Sequence, residues 1–254
     1  MRKEAFRDVV ICCVIFLLFV FGASLWIQKF QPYDKQNTTT VSGEQEKVVY
    51  LTFDDGPSQN TQAILDVLDT YKVKATFFVT GENISYQDLI FQEFDKGHAI
   101  GIHTYSHNYK EIYASEEAYL KDMEKVNALI EKQIGHKVNI FRFPGGASNT
   151  ISRKYCNGIM KSLSDTLLKK GYQYYDWNAS NGDGNSSLDS ATLISTAIKE
   201  IGELDEVMLL MHDGAGNSAT VKALPAIIEH LVKKGYTFKV INYETPVFHH
   251  HIAN

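Results

Sequence analysis

From residue 48 to residue 241 this chain alternates short apolar runs with longer amphipathic stretches, and that alternation narrows the available folds more than any other feature. The apolar runs cover residues 48–53, 75–79, 98–102, 138–143, 172–177, 206–211 and 238–241. They are continuous, as expected of strands buried on both faces of a parallel sheet. Between them, apolar residues recur at helical spacing over residues 58–71, 85–96, 115–134, 152–170, 188–201 and 219–234. Ser58 and Ser115 stand where helix caps are wanted, and Gly97, Gly135 and Gly171 where helices end. The repeat of about seven strand–helix units predicts an α/β fold, a distorted (β/α)7-type barrel rather than an open sheet.

The amino-terminal stretch has a different character. Met1-Arg2-Lys3 and Arg7 precede residues 9–27, which are apolar, uncharged and long enough to span a bilayer. A basic flank on that side predicts a cytoplasmic amino terminus and an exported remainder. A cleaved signal peptide would need a small-residue site, of which Gly22-Ala23-Ser24 is a poor version. The expected organisation is one membrane-anchoring transmembrane helix over residues 1–30, a polar linker over 31–46, one folded domain over 47–245 and a solvated tail over 246–254 containing His249-His250-His251. The domain would be extracellular on a single-pass anchor, or secreted if the segment is cleaved.

Cys12 and Cys13 lie in the apolar run, so the exported part keeps Cys156 alone and has no intrachain disulfide available. Cys156 is expected to pack as a small apolar side chain. A net charge of −5 without a basic stripe argues against a nucleic-acid partner.

Chemically distinctive residues follow the apolar runs. Asp54 and Asp55, ahead of Gly56-Pro57, follow the first; His103 and His107 follow the third; Arg142 ends the fourth. Asp176, Trp177 and Asp183 follow the fifth, and His212 and Asp213 the sixth. In a parallel barrel all strand carboxyl ends open on one rim, so residues remote in sequence can meet there. An Asp-Asp pair before glycine is also ordinary turn chemistry. His-x-x-x-His on a helical turn would place both imidazoles on one face, although a surface pair fits the same spacing. Two histidines and one carboxylate can hold a metal with positions left open for water and substrate.

Four segments, Thr-Phe-Asp-Asp-Gly-Pro (52–57), His-Thr-Tyr-Ser-His (103–107), Arg-Phe-Pro-Gly-Gly (142–146) and Leu-Met-His-Asp (210–213), resemble ordered motifs of the polysaccharide deacetylase family, the NodB-homology carbohydrate esterases. The resemblance extends over residues 48–241. It implies that Asp55, His103 and His107 hold one divalent metal, zinc in most members and cobalt or nickel in some. It casts Asp54 as the base acting on water, His212 as the acid for the leaving nitrogen, and Arg142 as the group orienting Asp54. Leu210 would line the acetyl-methyl pocket, a backbone N–H near Gly145 would meet the oxyanion, and Asp183, the best match to the aspartate of the fourth motif, would have a catalytic role.

Three departures bear on substrate fit. Gly145 replaces an aromatic residue, Gly184 replaces a tryptophan after Asp183, and Trp177 matches either an earlier aromatic position or only core. Asp176 competes with Asp183 for its role. The implied activity is metal-dependent removal of N-acetyl groups from an extracellular glycan, peptidoglycan or another N-acetylglucosamine polymer, by a monomer. The alternatives are an O-acetyl esterase of xylan type and an inactive module that binds wall glycan.

Overall fold

The computed structural model describes residues 46–242 and 244–254, so the apolar run at residues 9–27 and most of the polar linker lie outside the described residues. Among the described residues no helix is long and apolar enough to cross a membrane. The elements follow one another as β1 (Val48–Asp54), α1 (Thr61–Tyr71), β2 (Thr76–Thr80), α2 (Leu89–Asp95), β3 (Ala99–Thr104), α3 (Tyr109–Ile112), α4 (Glu116–Ile134), β4 (Ile140–Phe141), α5 (Ile159–Lys169), β5 (Gln173–Tyr174), β6 (Ala179–Ser180), α6 (Ser190–Ile201), β7 (Glu206–His212), α7 (Ser218–Lys233) and β8 (Thr237–Phe238).

All recorded strand pairs are parallel, in the order β5-β4-β3-β2-β1-β7-β6. Strand β7 follows one edge of β1 from Val48 to Asp54. The other edge is shared, with β8 beside Val48 and Val49 and β2 beside Thr52 to Asp54. The expected closure is incomplete. Strands β5 and β6 end the order, and no pairing joins them among the described residues. Beyond β5 the carbonyls of Tyr175 and Asp176 accept from the Arg142 guanidinium at 2.7 and 3.1 Å. The result is a partial barrel.

Strand alternation sorts the core. Val49, Leu51 and Phe53 of β1 and Val207, Leu209 and Met211 of β7 face the surrounding helices in the larger cluster. Val48, Tyr50 and Met208 face inward with Phe78, Ile140, Tyr175 and Ile241. Thr52 and Asp54 continue the inward face of β1, and Leu210 and His212 that of β7. The interior is therefore apolar below and polar at the carboxyl ends of the strands.

Several boundaries differ from the expected ones for local reasons. Ser58 does not cap α1; its hydroxyl donates to the Asp213 carbonyl and accepts from Asn60 N. The helix expected over 85–96 splits into a 3-10 turn (Ile84–Tyr86) and α2. That expected over 152–170 splits into a 3-10 turn (Ile151–Lys154) and α5, which Gly158 opens at φ +78°. Ser115 does cap α4, accepting from Ala118 N at 3.1 Å, and Gly135 ends it at φ +84°. Cys156 is half-buried against the core as expected.

The carboxyl-terminal segment is not a solvated tail. His249 stacks on Tyr174 with ring centroids 3.7 Å apart, and Asn254 bonds to the turns around α5, its carbonyl accepting from Lys161 N and its Oδ1 from Gly158 N. Leu209 of β7 is fully buried in the larger core cluster beneath the helices. Leu209→Ala is expected to lower unfolding free energy by about 2–5 kcal/mol in chemical denaturation, through lost burial and the cavity left behind.

Candidate active site

The register of β1 against β7 places Asp54 directly beside His212 at the carboxyl end of the sheet. Asp55 follows with φ +70°, a left-handed turn that sends its side chain a different way from that of Asp54. The Gly56–Pro57 peptide is cis. Gly56 is required by close approach, because a Cβ there would lie 2.0 Å from the Asp213 carboxylate. Asp213 is fully buried and accepts from the Thr61 hydroxyl; burial, with Asp55 and Asp54 nearby, pushes its carboxyl up to about 7. The two outer motifs are thus wedged together at one point.

His103 and His107 converge, though not on a helical turn. His103 is part of β3, whereas His107 lies past its end at φ +45°, its N–H donating to Thr104 Oγ1 at 3.2 Å. Asp122 of α4 shapes the intervening turn by accepting from Tyr105 N (2.6 Å) and Ser106 N (3.1 Å). Nothing in the motif pattern points to Asp122, since its partners are backbone groups brought to it by folding. Asp55 Oδ1 lies 3.3 Å from His103 Nε2 and 3.3 Å from His107 Nε2, and the three ligand atoms fall within 4.8 Å of one another.

This cluster fits a cation. His103 Nδ1 lies 2.9 Å from the Arg142 carbonyl, which can only accept, so Nδ1 carries the proton and Nε2 faces Asp55. Asp55 Oδ1 is buried without a hydrogen-bond partner. Burial opposes a charge on His103, yet Asp54 and Asp55 outweigh it and raise its pKa. Burial likewise opposes ionising Asp55, but His103 and His107 hold its carboxyl well below the usual carboxylate range. Burial lowers the pKa of His107, favouring the neutral, ligand-competent imidazole. A positive charge among these three side chains satisfies all of them.

Arg142 and Asp54 are buried together. Arg142 Nη1 donates to Asp54 Oδ1 at 2.9 Å and to Thr52 Oγ1 at 2.6 Å, leaving Asp54 Oδ2 turned towards the histidine cluster, 4.0 Å from His103 Nε2. The guanidinium lies 4.4 Å from the Phe78 ring centroid and 5.7 Å from that of Trp177.

Across the cavity, Asp183 rather than Asp176 partners the second imidazole. Asp183 Oδ1 is 2.7 Å from His212 Nδ1, while Oδ2 accepts from His212 N at 2.8 Å and from Thr220 Oγ1 at 2.6 Å. Burial would lower the pKa of His212, but the Asp183 hydrogen bond and charge, helped by Asp55 and Asp54, push it up to about 9. Asp176 instead accepts from Ala147 N and His250 N, both at 2.8 Å.

These groups line a cavity of about 490 Å³, with Leu210, Gly145 and Trp177 among its walls. Tyr109 is a wall residue that the motifs do not reveal. A Cβ on Gly145 would sit 2.8 Å from the Tyr109 hydroxyl, so an aromatic ring from α3 stands beside the position where the family resemblance leads one to expect an aromatic side chain. Burial, with Asp55 and Asp54, pushes the Tyr109 hydroxyl up to about 12, which keeps it protonated. A Cβ on Gly184 would meet only His212 Cε1, at 3.8 Å, so glycine there leaves the imidazole edge uncovered. The His212 ring is expected to titrate near pH 9 by NMR in metal-free protein. Asp183→Asn should lower that value by more than about 1 unit, since a neutral amide no longer favours the imidazolium; an unchanged value would show that Asp183 does not control it.

Comparison with known proteins bears on these features. Residues 42–159 match the family model for polysaccharide deacetylase. A peptidoglycan-N-acetylglucosamine deacetylase of Bacillus cereus is 32% identical over 223 residues, covering 85% of this chain and 78% of that protein. A bifunctional xylanase/deacetylase of Pseudobutyrivibrio xylanivorans is 31% identical over 81% of this chain, a match spanning 32% of that longer protein. The crystal structure of the catalytic domain of a peptidoglycan N-acetylglucosamine deacetylase from Eubacterium rectale superposes with a TM-score of 0.80 at 41% identity, covering 86% of this chain and 99% of that one. With its partial parallel barrel and its motifs gathered at one rim, this chain belongs to the polysaccharide deacetylase family of NodB-homology carbohydrate esterases.

Proposed function

We propose that this protein is a metal-dependent hydrolase removing N-acetyl groups from an extracellular glycan, with the amino sugars of peptidoglycan as its substrate. The observation that carries the reading is the pairing of a buried carboxylate and an Asp-backed imidazole on one cavity, beside a carboxylate–bis-imidazole cluster. A base and an acid facing one small space have no use in a module that only binds glycan.

Asp55, His103 and His107 would hold the cation, zinc by ligand type, with cobalt or nickel also suited. When bound, such a cation supplies Lewis-acid polarisation and a more acidic water. Asp54, kept in place through Oδ1 by Arg142, takes a proton from water through its free Oδ2. The water oxygen bonds to the acetyl carbonyl carbon, and the Gly145 backbone N–H donates to the oxygen that gains charge. The carbon–nitrogen bond then breaks as His212 gives its proton to the sugar nitrogen, producing acetate and a free amine. Amines leave poorly unless protonated, so an imidazole held in its charged form by Asp183 suits this step. Leu210, in the cavity wall, would receive the acetyl methyl group.

The Bacillus cereus and Eubacterium rectale relatives support peptidoglycan as substrate, as does the apolar run at residues 9–27, which we read as an anchor placing a monomeric domain outside the membrane. The bifunctional relative favours a second reading, hydrolysis of O-acetyl esters on xylan. Mass spectrometry of peptidoglycan fragments and chitooligosaccharides should show acetyl loss that ceases with a chelator and returns with zinc or cobalt. Asp55→Ala and His103→Ala should abolish it; retained activity in either variant would rule out this metal site. His212→Ala should lower amide hydrolysis by about 10²–10⁴-fold and ester hydrolysis much less, because an alkoxide needs less help to leave. Wild-type protein that releases acetate from acetylated xylan but not from the amide substrates would select the second reading.

A further inference from the structure

The segment after residue 245 runs across the open seam of the barrel and joins two parts of the cavity wall. The Phe248 carbonyl accepts from Asp176 N at 2.7 Å, and His250 N donates to Asp176 Oδ2 at 2.8 Å. The His250 ring then bridges two loops. Its Nε2 is 2.6 Å from the Trp177 carbonyl and its Nδ1 is 3.2 Å from Ser148 Oγ. A carbonyl only accepts, so Nε2 donates, and Nδ1 is left to accept from the Ser148 hydroxyl. Both nitrogens of a neutral imidazole are thereby used.

Both loops have other supports, and one bond besides those of His250 already joins them, Ala147 N donating to Asp176 Oδ1 at 2.8 Å. The loop with Gly145 has its own, since Tyr113 Oη and Asn149 Nδ2 both donate to the Pro144 carbonyl and Gly146 N donates to Phe143 O. The Trp177 indole lies against Gly146, where a Cβ would come within 3.0 Å of the ring, with the Arg142 guanidinium at 5.7 Å and the His250 ring edge-on at 4.7 Å, and the Asp176 carbonyl before it accepts from Arg142 Nη2. To these supports His250 adds contacts to Trp177 through both its backbone and its ring.

We infer that His250 is a positioning residue for the glycan cavity: by bridging the Trp177 carbonyl and the Ser148 hydroxyl it holds the indole wall at a set distance from the Gly145 loop. The inference rests on the deacetylase reading. Asp54, Asp55, His103, His107 and His212 are carried by β1, β3, β7 and the turns after them, and no recorded hydrogen bond joins those residues to the segment. Disturbing His250 should thus alter how the sugar is held more than how the bond is broken.

In the full chain, His250→Ala should raise KM for a chitooligosaccharide about three- to tenfold, the worth of one or two net hydrogen bonds, with kcat changed less than about twofold. His250→Gln, whose longer side chain can still donate to the Trp177 carbonyl, should keep KM near wild type. His250→Asn, which is too short to do so, should behave like the alanine variant. The chain has two tryptophans, Trp26 and Trp177, so a Trp26→Phe background leaves Trp177 as the sole reporter. Its emission should shift to the red and quench more readily with acrylamide in His250→Ala and His250→Asn, but not in His250→Gln. An unchanged KM, glutamine behaving as alanine, or kcat and melting temperature falling together with KM constant would each overturn the proposal. A wild-type protein that releases no acetate would instead defeat the deacetylase reading, while the Trp177 emission series still tests the His250 bridge.

Discussion

The buried guanidinium of Arg142 is the group on which the rest of the active end depends. It is fully buried and donates to Asp54, Thr52, Tyr175 O and Asp176 O, while its own carbonyl fixes the ring of His103. Taking a charge out of water is costly, and such a group persists only where its hydrogen bonds are met and an opposite charge is at hand. Removing one member of a buried pair of this kind costs about 3–5 kcal/mol, because the other charge is stranded. The same contacts orient Asp54, set the tautomer of His103 and tie the end of β4 to the turn after β5. Structure and chemistry therefore share one set of bonds.

Strand periodicity explains why this end is polar while the rest of the sheet is not. On β1 and β7 the outward residues are uniformly apolar and pack under helices. The inward residues change from Val48, Tyr50 and Met208 to Asp54 and His212 as the strands approach the rim. A one-residue slip of either strand would turn these groups into the helix layer and break the apolar contacts there, so the packing of the core enforces the alignment of Asp54 with His212.

Adjacent or similar residues take different tasks because their surroundings differ. Asp54 is in the strand ladder and paired to Arg142, whereas Asp55 leaves it through a left-handed turn and meets two imidazoles. His103 bonds to a carbonyl through Nδ1 and offers Nε2 to the cation cluster, whereas His212 meets a carboxylate through Nδ1 and is held in its charged form. Asp176 and Asp183 separate likewise: the first ties a loop to the carboxyl-terminal segment, the second bonds to His212 and favours its imidazolium.

Much of this was legible in the chain. Apolar runs of strand length between amphipathic stretches determined a parallel α/β sheet, and the residues after those runs determined which side chains would meet, because a parallel sheet sends every strand's carboxyl end to one rim. What the sequence left open were matters of contact between distant segments. His107 reaches Asp55 through a turn shaped by Asp122, not through helical spacing; Tyr109 stands beside Gly145 because α3 carries it there. The barrel stays open between β5 and β6, and beside that opening His249 stacks on Tyr174 while His250 bonds to Asp176 and Trp177. Periodicity is a property of neighbours along the chain and can be read from it, whereas the partner of a buried polar group is chosen by whichever remote donor or acceptor packing brings within reach, and only the folded structure decides that.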